Sequence, residues 1–246
     1  MKHKLAHVSN IQRLKLAFDA LQGRDLDLPG LGLVHGFTGS GKTTGIAWLA
    51  NQTNGVFVRA LATWTPFSMV EAIIFELGAA PYRRLAQNVN YIIQDLAQSN
   101  RPLFVDEADY LLPNLKMIET LRDIHDMAGI PVVIIGMEGL DKKIVRRQQF
   151  TRRISQWVEF LPLDLDDARI LADTVCEVHI ADDLLKFLHQ QANGSIGLMV
   201  VGLARIEALA KAQGWDAVAA KSWARRPLFL GQPPNGKAPV RVTVGA

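Results

Sequence analysis

From Ser9 to Leu21 apolar residues recur every three or four positions, at Ile11, Leu14, Phe18 and Leu21. That spacing predicts an amphipathic helix, which Ser9 can cap. A turn-rich connector over residues 23–30 follows. Then the period changes. Short apolar runs over residues 31–35, 56–59, 102–106, 131–136 and 157–160 read as buried strands. Between them lie longer stretches with helical spacing, over residues 43–53, from Thr65-Pro66 onward through Val70, Ile73, Ile74 and Leu77, over 85–98, around 113–128, and over a charged segment 139–149. Strands alternating with helices predict a parallel sheet covered on both faces. After Pro162 only the helical period continues, over residues 164–176, 182–192 and 196–212, with no strand between them. From Arg225 prolines and glycines predict an irregular tail. The expected organisation is an N-terminal helical segment 1–22, an α/β core 23–162 with a five-stranded parallel sheet, a small all-helical domain 163–224, and the tail 225–246.

Composition narrows the class without naming an activity. The 246 residues carry 49% hydrophobic and 21% charged side chains, with a formal net charge of +3, an ordinary soluble balance. The single cysteine, Cys176, excludes a disulfide framework within the chain and suits a reducing compartment. The apolar runs are too short to span a bilayer, and the start Met1-Lys-His-Lys-Leu lacks a secretory apolar region. A cytoplasmic protein with no membrane partner is expected. Trp48 and Trp157 read as core residues, and Cys176 as an inert thiol on an apolar helix.

The chemistry begins at Gly36-Phe37-Thr38-Gly39-Ser40-Gly41-Lys42-Thr43-Thr44. Its fixed positions fit G-x-x-x-x-G-K-[ST], between an expected strand and an expected helix. Glycines there let backbone N–H groups turn inward toward phosphate oxygens, and the helix N-terminus adds positive potential. Lys42 would reach the β- and γ-phosphates of ATP, and the Thr43 hydroxyl would ligate Mg²⁺. The run Leu103-Phe104-Val105-Asp106-Glu107 then ends an apolar strand in two carboxylates. Asp106 would hold the Mg²⁺, directly or through water, and Glu107 would polarise the attacking water. The fourth strand should lie between the strands that carry these motifs. Its tip offers Met137 and Glu138, neither of which is a side-chain donor to a phosphate.

One charge asymmetry stands out. Residues 142–153 hold Lys142, Lys143, Arg146, Arg147, Arg152 and Arg153, and no acid. Six such cations favour an anion nearby. Lys142, Lys143, Arg146 and Arg147, on one helix, are the candidate contacts to a DNA backbone. Arg153, with Arg152 second, is the candidate for a cation donated to the γ-phosphate of a neighbouring subunit. Arg59, at the end of the second strand near Trp64, is a further candidate backbone contact.

Together the loop, Phe104-Val-Asp-Glu107, Ile135-Gly136, the Arg152-Arg153 pair before a strand ending Phe160-Leu-Pro, and the helical domain resemble an AAA+ ATPase. The resemblance spans roughly residues 5–212. Within that superfamily the Phe-Val-Asp-Glu-Ala-Asp run, the Ile-Gly-Met-Glu-Gly-Leu segment and the basic stretch are similar to the B proteins of Mu-like transposable phages and the target-selector ATPases of Tn7-like elements. The resemblance implies a P-loop AAA+ core with a helical lid, in the cytoplasm of a bacterial host. It implies ATP and Mg²⁺ as cofactors, and assembly of copies of the chain as a filament or ring on duplex DNA. It also implies delivery of that DNA to a transposase. Two departures imply slow hydrolysis: Met137 replaces a polar sensor, and residues 193–198 lack the arginine often found there, Arg205 lying two turns later. A helicase loader or replication initiator is the alternative, and an ATP-bound signalling switch is the alternative of another class.

Overall fold

The computed structural model describes residues 1–25, 27–224 and 226–229. Apart from 226–229, the expected tail lies outside the described residues. The chain divides into two compact units, Asn10–Leu161 and a second formed by Met1–Ser9 with the chain from Pro162 onward.

The first unit is built on five parallel strands, β1 (Leu31–Gly36), β2 (Val56–Arg59), β3 (Leu103–Asp106), β4 (Val132–Ile135) and β5 (Ile154–Phe160), in the order β2-β3-β4-β1-β5. β4 thus lies between β1 and β3, as the sequence predicts. Val56, Leu103, Val132 and Leu31 stand in one row across four strands. The same register sets Arg59 beside Asp106 at the C-terminal ends of β2 and β3. Side chains alternate faces along each strand. Leu31, Leu33, Val58, Val105 and Ile134 pack with α3 (Pro66–Glu76), α4 (Leu85–Ser99) and α5 (Leu115–Ala128). Phe104 faces the other way and stacks on Phe18 of α1 (Ser9–Gln22), ring centroids 5.5 Å apart. α2 (Lys42–Gln52) lies on that second face, where the Gly45 backbone runs close to Ile11, Leu14 and Phe160.

Local chemistry explains the boundaries. Thr65 caps α3 reciprocally with Ser68, and Pro66 fills the first turn. Asn114 caps α5, and Gly129 ends it in the left-handed conformation. His125, buried on α5, ties the helix end to the sheet: Nδ1–H donates to the Ile130 carbonyl at 2.8 Å, and Nε2 accepts from the Gly30 N–H at 3.3 Å.

Three expectations need correction. The charged helix over 139–149 is broken into α6 (Leu140–Val145) and α7 (Gln148–Thr151). Arg147 takes a non-helical φ of −106° and ψ of 77°, its guanidinium donates to the Leu112 carbonyl, and the turn carries Phe150 into the core. A straight helix would hold the cations on one rod but leave Phe150 without this burial. Trp157 is 40% exposed rather than buried, because β5 is an edge strand whose odd-numbered positions there face outward. Thirdly, the second unit contains α8 (Leu165–Val175), α9 (Asp182–Ala192), α10 (Ile196–Gln213) and α11 (Ala220–Trp223), but also a two-residue pairing of β6 (His179–Ile180) with β7 (Ala217–Val218). Two extended connectors run side by side there and satisfy each other's backbone groups, with His179 N–H donating to Asp216 and Ala181 N–H to Val218. In this unit burial pushes the Cys176 thiol up to about 11, with the Glu207 carboxylate adding to the shift.

Candidate nucleotide-binding site and basic segment

The loop from Gly36 to Thr43 joins the end of β1 to the start of α2. Two of its glycines are required by geometry. A Cβ on Gly36 would sit 2.6 Å from the Phe160 carbonyl oxygen, so only glycine lets the chain leave the sheet here. Gly41 has φ 86° and caps α2 with no side-chain hydrogen bond, so the first amides of the helix face the loop without a side-chain competitor. Thr38 and Gly39 are exposed, Phe37 is half-buried and Ser40 is buried. Thr44 is exposed on the first turn of α2.

Lys42 folds into this loop. Its Nζ donates to the carbonyls of Gly36 and Phe37, each at 2.8 Å, and to Ser40 Oγ at 3.2 Å. Burial lowers the pKa of its ammonium, and Asp106, Glu107 and Asp109 oppose that shift. Thr43 Oγ1 donates to Asp106 Oδ2 at 2.8 Å. The hydroxyl of the loop and the carboxylate at the tip of β3 are therefore joined directly, across the intervening strand. Two hard oxygen donors held this close fit Mg²⁺, which takes one or two protein oxygens and completes its shell with phosphate and water. Among the described residues no cluster of three or more His, Cys, Asp or Glu has metal-binding geometry, and such a magnesium site needs none.

Asp106 is 2% exposed, and its Oδ1 accepts the Glu107 N–H at 2.9 Å. Glu107 has φ 56°, the left-handed region that non-glycine residues rarely occupy. A short 3₁₀ turn, Ala108–Leu111, follows it. Asp109 in that turn receives two donors: the Met137 N–H at the tip of β4, 2.7 Å from Oδ2, and Lys143 Nζ, 3.0 Å from Oδ1. In the sequence Asp109 has no role beyond its place in the acidic run. Its spacing after Asp106 was visible, but the partner at Met137 was not.

The basic residues do not share one environment. Lys142 and Lys143 are exposed on α6, while Arg146 and Arg147 form the break before α7. Arg147 is half-buried. Lys143 is paired with Asp109. Arg153 pairs with Asp126, with Nε at 3.2 Å and Nη2 at 3.1 Å from one carboxylate oxygen. Arg152 is exposed. Arg59 Nε lies 3.5 Å from Asp106 Oδ2, which puts this candidate DNA contact at the site itself. The apparent absence of acids around the basic run thus ends once the fold brings Asp109 and Asp126 to it.

Residues 25–144 match the family model of the AAA domain. No curated protein matches the chain in sequence. Among solved structures, Cdc6p from Pyrobaculum aerophilum is similar with a TM-score of 0.65 and 17% identity, over 90% of this chain and 66% of that one. The ORC2 protein of Aeropyrum pernix, in ADPNP–ADP complexes, gives a TM-score of 0.68 and 13% identity, over 90% and 68%. The ORC1 protein of Aeropyrum pernix, in complex with DNA, gives 0.61 and 17%, over 88% and 63%. This chain spans about two thirds of the length of those proteins. At these identities the likeness is one of fold: an α/β core with a five-stranded parallel sheet among helices, consistent with an AAA+ core.

Proposed function

We propose that this protein is a Mg²⁺-dependent ATPase that binds duplex DNA as an assembly of its own copies and is controlled by whether ATP is held. The contact that carries the reading is Thr43 Oγ1 to Asp106 Oδ2 at 2.8 Å, which unites the two halves of a phosphate and metal site. In this reading Lys42 exchanges its neutral loop acceptors for β- and γ-phosphate oxygens, and the α2 amides hold the same anion. Thr43 and Asp106 would hold Mg²⁺, which supplies charge neutralisation of the phosphates when bound. Glu107 orients the attacking water, from a left-handed backbone position just past the end of β3. Arg152 or Arg153 acts on the phosphate held by a neighbouring copy. Lys142, Lys143, Arg146, Arg147 and Arg59 supply candidate phosphate contacts to DNA.

Two settings fit this chemistry. The fold likeness to Cdc6 and ORC proteins, one of them solved with DNA and one with nucleotides, supports the initiator or helicase-loader setting. Delivery of target DNA to a transposase rests on the sequence resemblance of the run Phe104 to Asp109, the segment Ile135 to Leu140 and the basic stretch alone, so the initiator or helicase-loader setting is the better supported of the two. Electron microscopy with duplex DNA and ATP or ADP tests the common core. Assemblies on DNA with ATP, absent with ADP and absent for Lys42→Ala, are expected. Assembly that ignores nucleotide and survives Lys42→Ala would overturn it. Stimulation of hydrolysis by a transposase, against rings formed around a helicase, separates the two settings.

A further inference from the structure

Glu107 is the residue whose carboxylate must be aimed, yet its backbone sits in a conformation with φ 56° that costs free energy for a side chain with a Cβ. Something in the surroundings must hold it there. Upstream, Asp106 Oδ1 accepts the Glu107 N–H at 2.9 Å. Downstream, the Glu107 carbonyl accepts the Tyr110 N–H at 3.1 Å, closing the 3₁₀ turn. Buried Ala108 and Leu111 seat that turn in the core, and its exposed side holds one polar tie to the neighbouring strand. Asp109 fastens it to the next strand: Oδ2 takes the Met137 N–H at 2.7 Å, and Oδ1 takes Lys143 Nζ at 3.0 Å. The fit is close, since a Cβ on Gly136 would come within 2.4 Å of Asp109 Oδ2. The Asp109 side chain is 16% exposed and Lys143 56%, so the carboxylate is sheltered while the lysine end of the pair meets water and can be exchanged.

We propose that Asp109 is the positioning residue of Glu107, and that the Lys143–Asp109 ion pair ties this positioning to the basic segment. The inference rests on the ATPase reading above. A carboxylate is required because it accepts from an amide with one oxygen and from an ammonium with the other. Asn retains one oxygen for the Met137 amide but presents an NH₂ group to Lys143. Ala retains neither. When DNA phosphates draw Lys143 away, Asp109 loses one of its two restraints, so hydrolysis responds to DNA through this pair.

The test compares wild type, Asp109→Asn, Asp109→Ala and Lys143→Gln as full-length protein. Three quantities are read: the Kd of a fluorescent ATP analogue, kcat with and without duplex DNA, and the thermal unfolding midpoint. For Asp109→Ala, kcat is expected to fall on the order of ten- to a hundredfold, the scale of a misplaced catalytic group, with the analogue Kd nearly unchanged. Asp109→Asn should recover part of that loss. Lys143→Gln should give the same kcat with and without DNA. The role is overturned if folded Asp109→Asn and Asp109→Ala turn over like wild type, if kcat and nucleotide affinity fall together, or if Lys143→Gln still responds to DNA as wild type does. A wild type that binds the analogue but shows no turnover would overturn the ATPase reading itself, and the role of Asp109 with it.

Discussion

At the residue scale, a charge count and a charge environment are different things. The basic run is legible in the sequence because Lys142, Lys143, Arg146, Arg147, Arg152 and Arg153 are neighbours in the chain. Their partners are not, since Asp109 and Asp126 arrive from other elements. Lys142 and Arg146 are exposed, whereas Arg147 is drawn inward to the Leu112 carbonyl. Each exposed phosphate contact contributes a slope of roughly 0.9 to the logarithmic salt dependence of duplex binding. Lys142→Ala and Arg146→Ala are each expected to lower the slope by about that amount. Arg147→Ala should change the slope less and the stability more, because it removes a bond that closes the α6–α7 break. Fluorescence anisotropy titrations at several salt concentrations measure the first effect, and thermal unfolding measures the second. Equal slopes for wild type and Lys142→Ala would remove α6 from the DNA surface.

At the element scale, the strands and most helices follow from local period and caps, and those are written in the sequence. The breaks in elements are not. No local signal near Arg147 marks the end of a helix; the break comes from Phe150 reaching the core and from Arg147 finding a carbonyl on another segment. His125 is a second such case. Its Nε2 accepts from the Gly30 N–H just before β1 while Nδ1 donates to Ile130, which fixes the neutral tautomer. Burial is the main cause that lowers its pKa from 6.5. The folded state therefore binds fewer protons than the unfolded state, and stability is complete above the unfolded value. It is lost as pH falls below 6.5, by up to about 1.4 kcal/mol per pH unit until the lowered folded value is reached. Urea unfolding between pH 7.5 and 5 should show this decline, and His125→Asn should be less stable at pH 7.5 but flatter over the same range. An unchanged slope in that variant would assign the acid sensitivity elsewhere.

At the scale of the whole molecule, what matters is whether one copy finishes the site of another. Within a protomer the loop supplies Lys42 and Thr43, the end of β3 supplies Asp106, and Glu107 follows directly after it. The Arg152-Arg153 pair lies across the sheet on the approach to β5, which is separated from β3 by β4 and β1. Arg153 is already engaged by Asp126 in its own chain, while Arg152 carries no side-chain hydrogen bond or ion pair among the described residues. The sequence reading puts Arg153 first and Arg152 second, and it could not see that an acid twenty-seven positions upstream in the chain engages Arg153. This geometry favours Arg152 as the cation free to act in trans, with Arg153 bracing the turn that presents it. Mixing decides the question. Glu107→Gln holds ATP and keeps both arginines but cannot activate water, and Arg152→Ala keeps an intact loop and Glu107. Each alone should be nearly inactive, and an equimolar mixture on duplex DNA should regain up to about a quarter of wild-type turnover, since random pairing places an Arg152→Ala loop beside a Glu107→Gln arginine that often and turnover scales with the number of completed sites. The same mixture made with Arg153→Ala should regain as much only if Arg153 itself reaches across. Activity in Arg152→Ala alone that equals wild type, at protein concentrations low enough to keep copies apart, would show that each protomer hydrolyses ATP unaided and would detach catalysis from assembly.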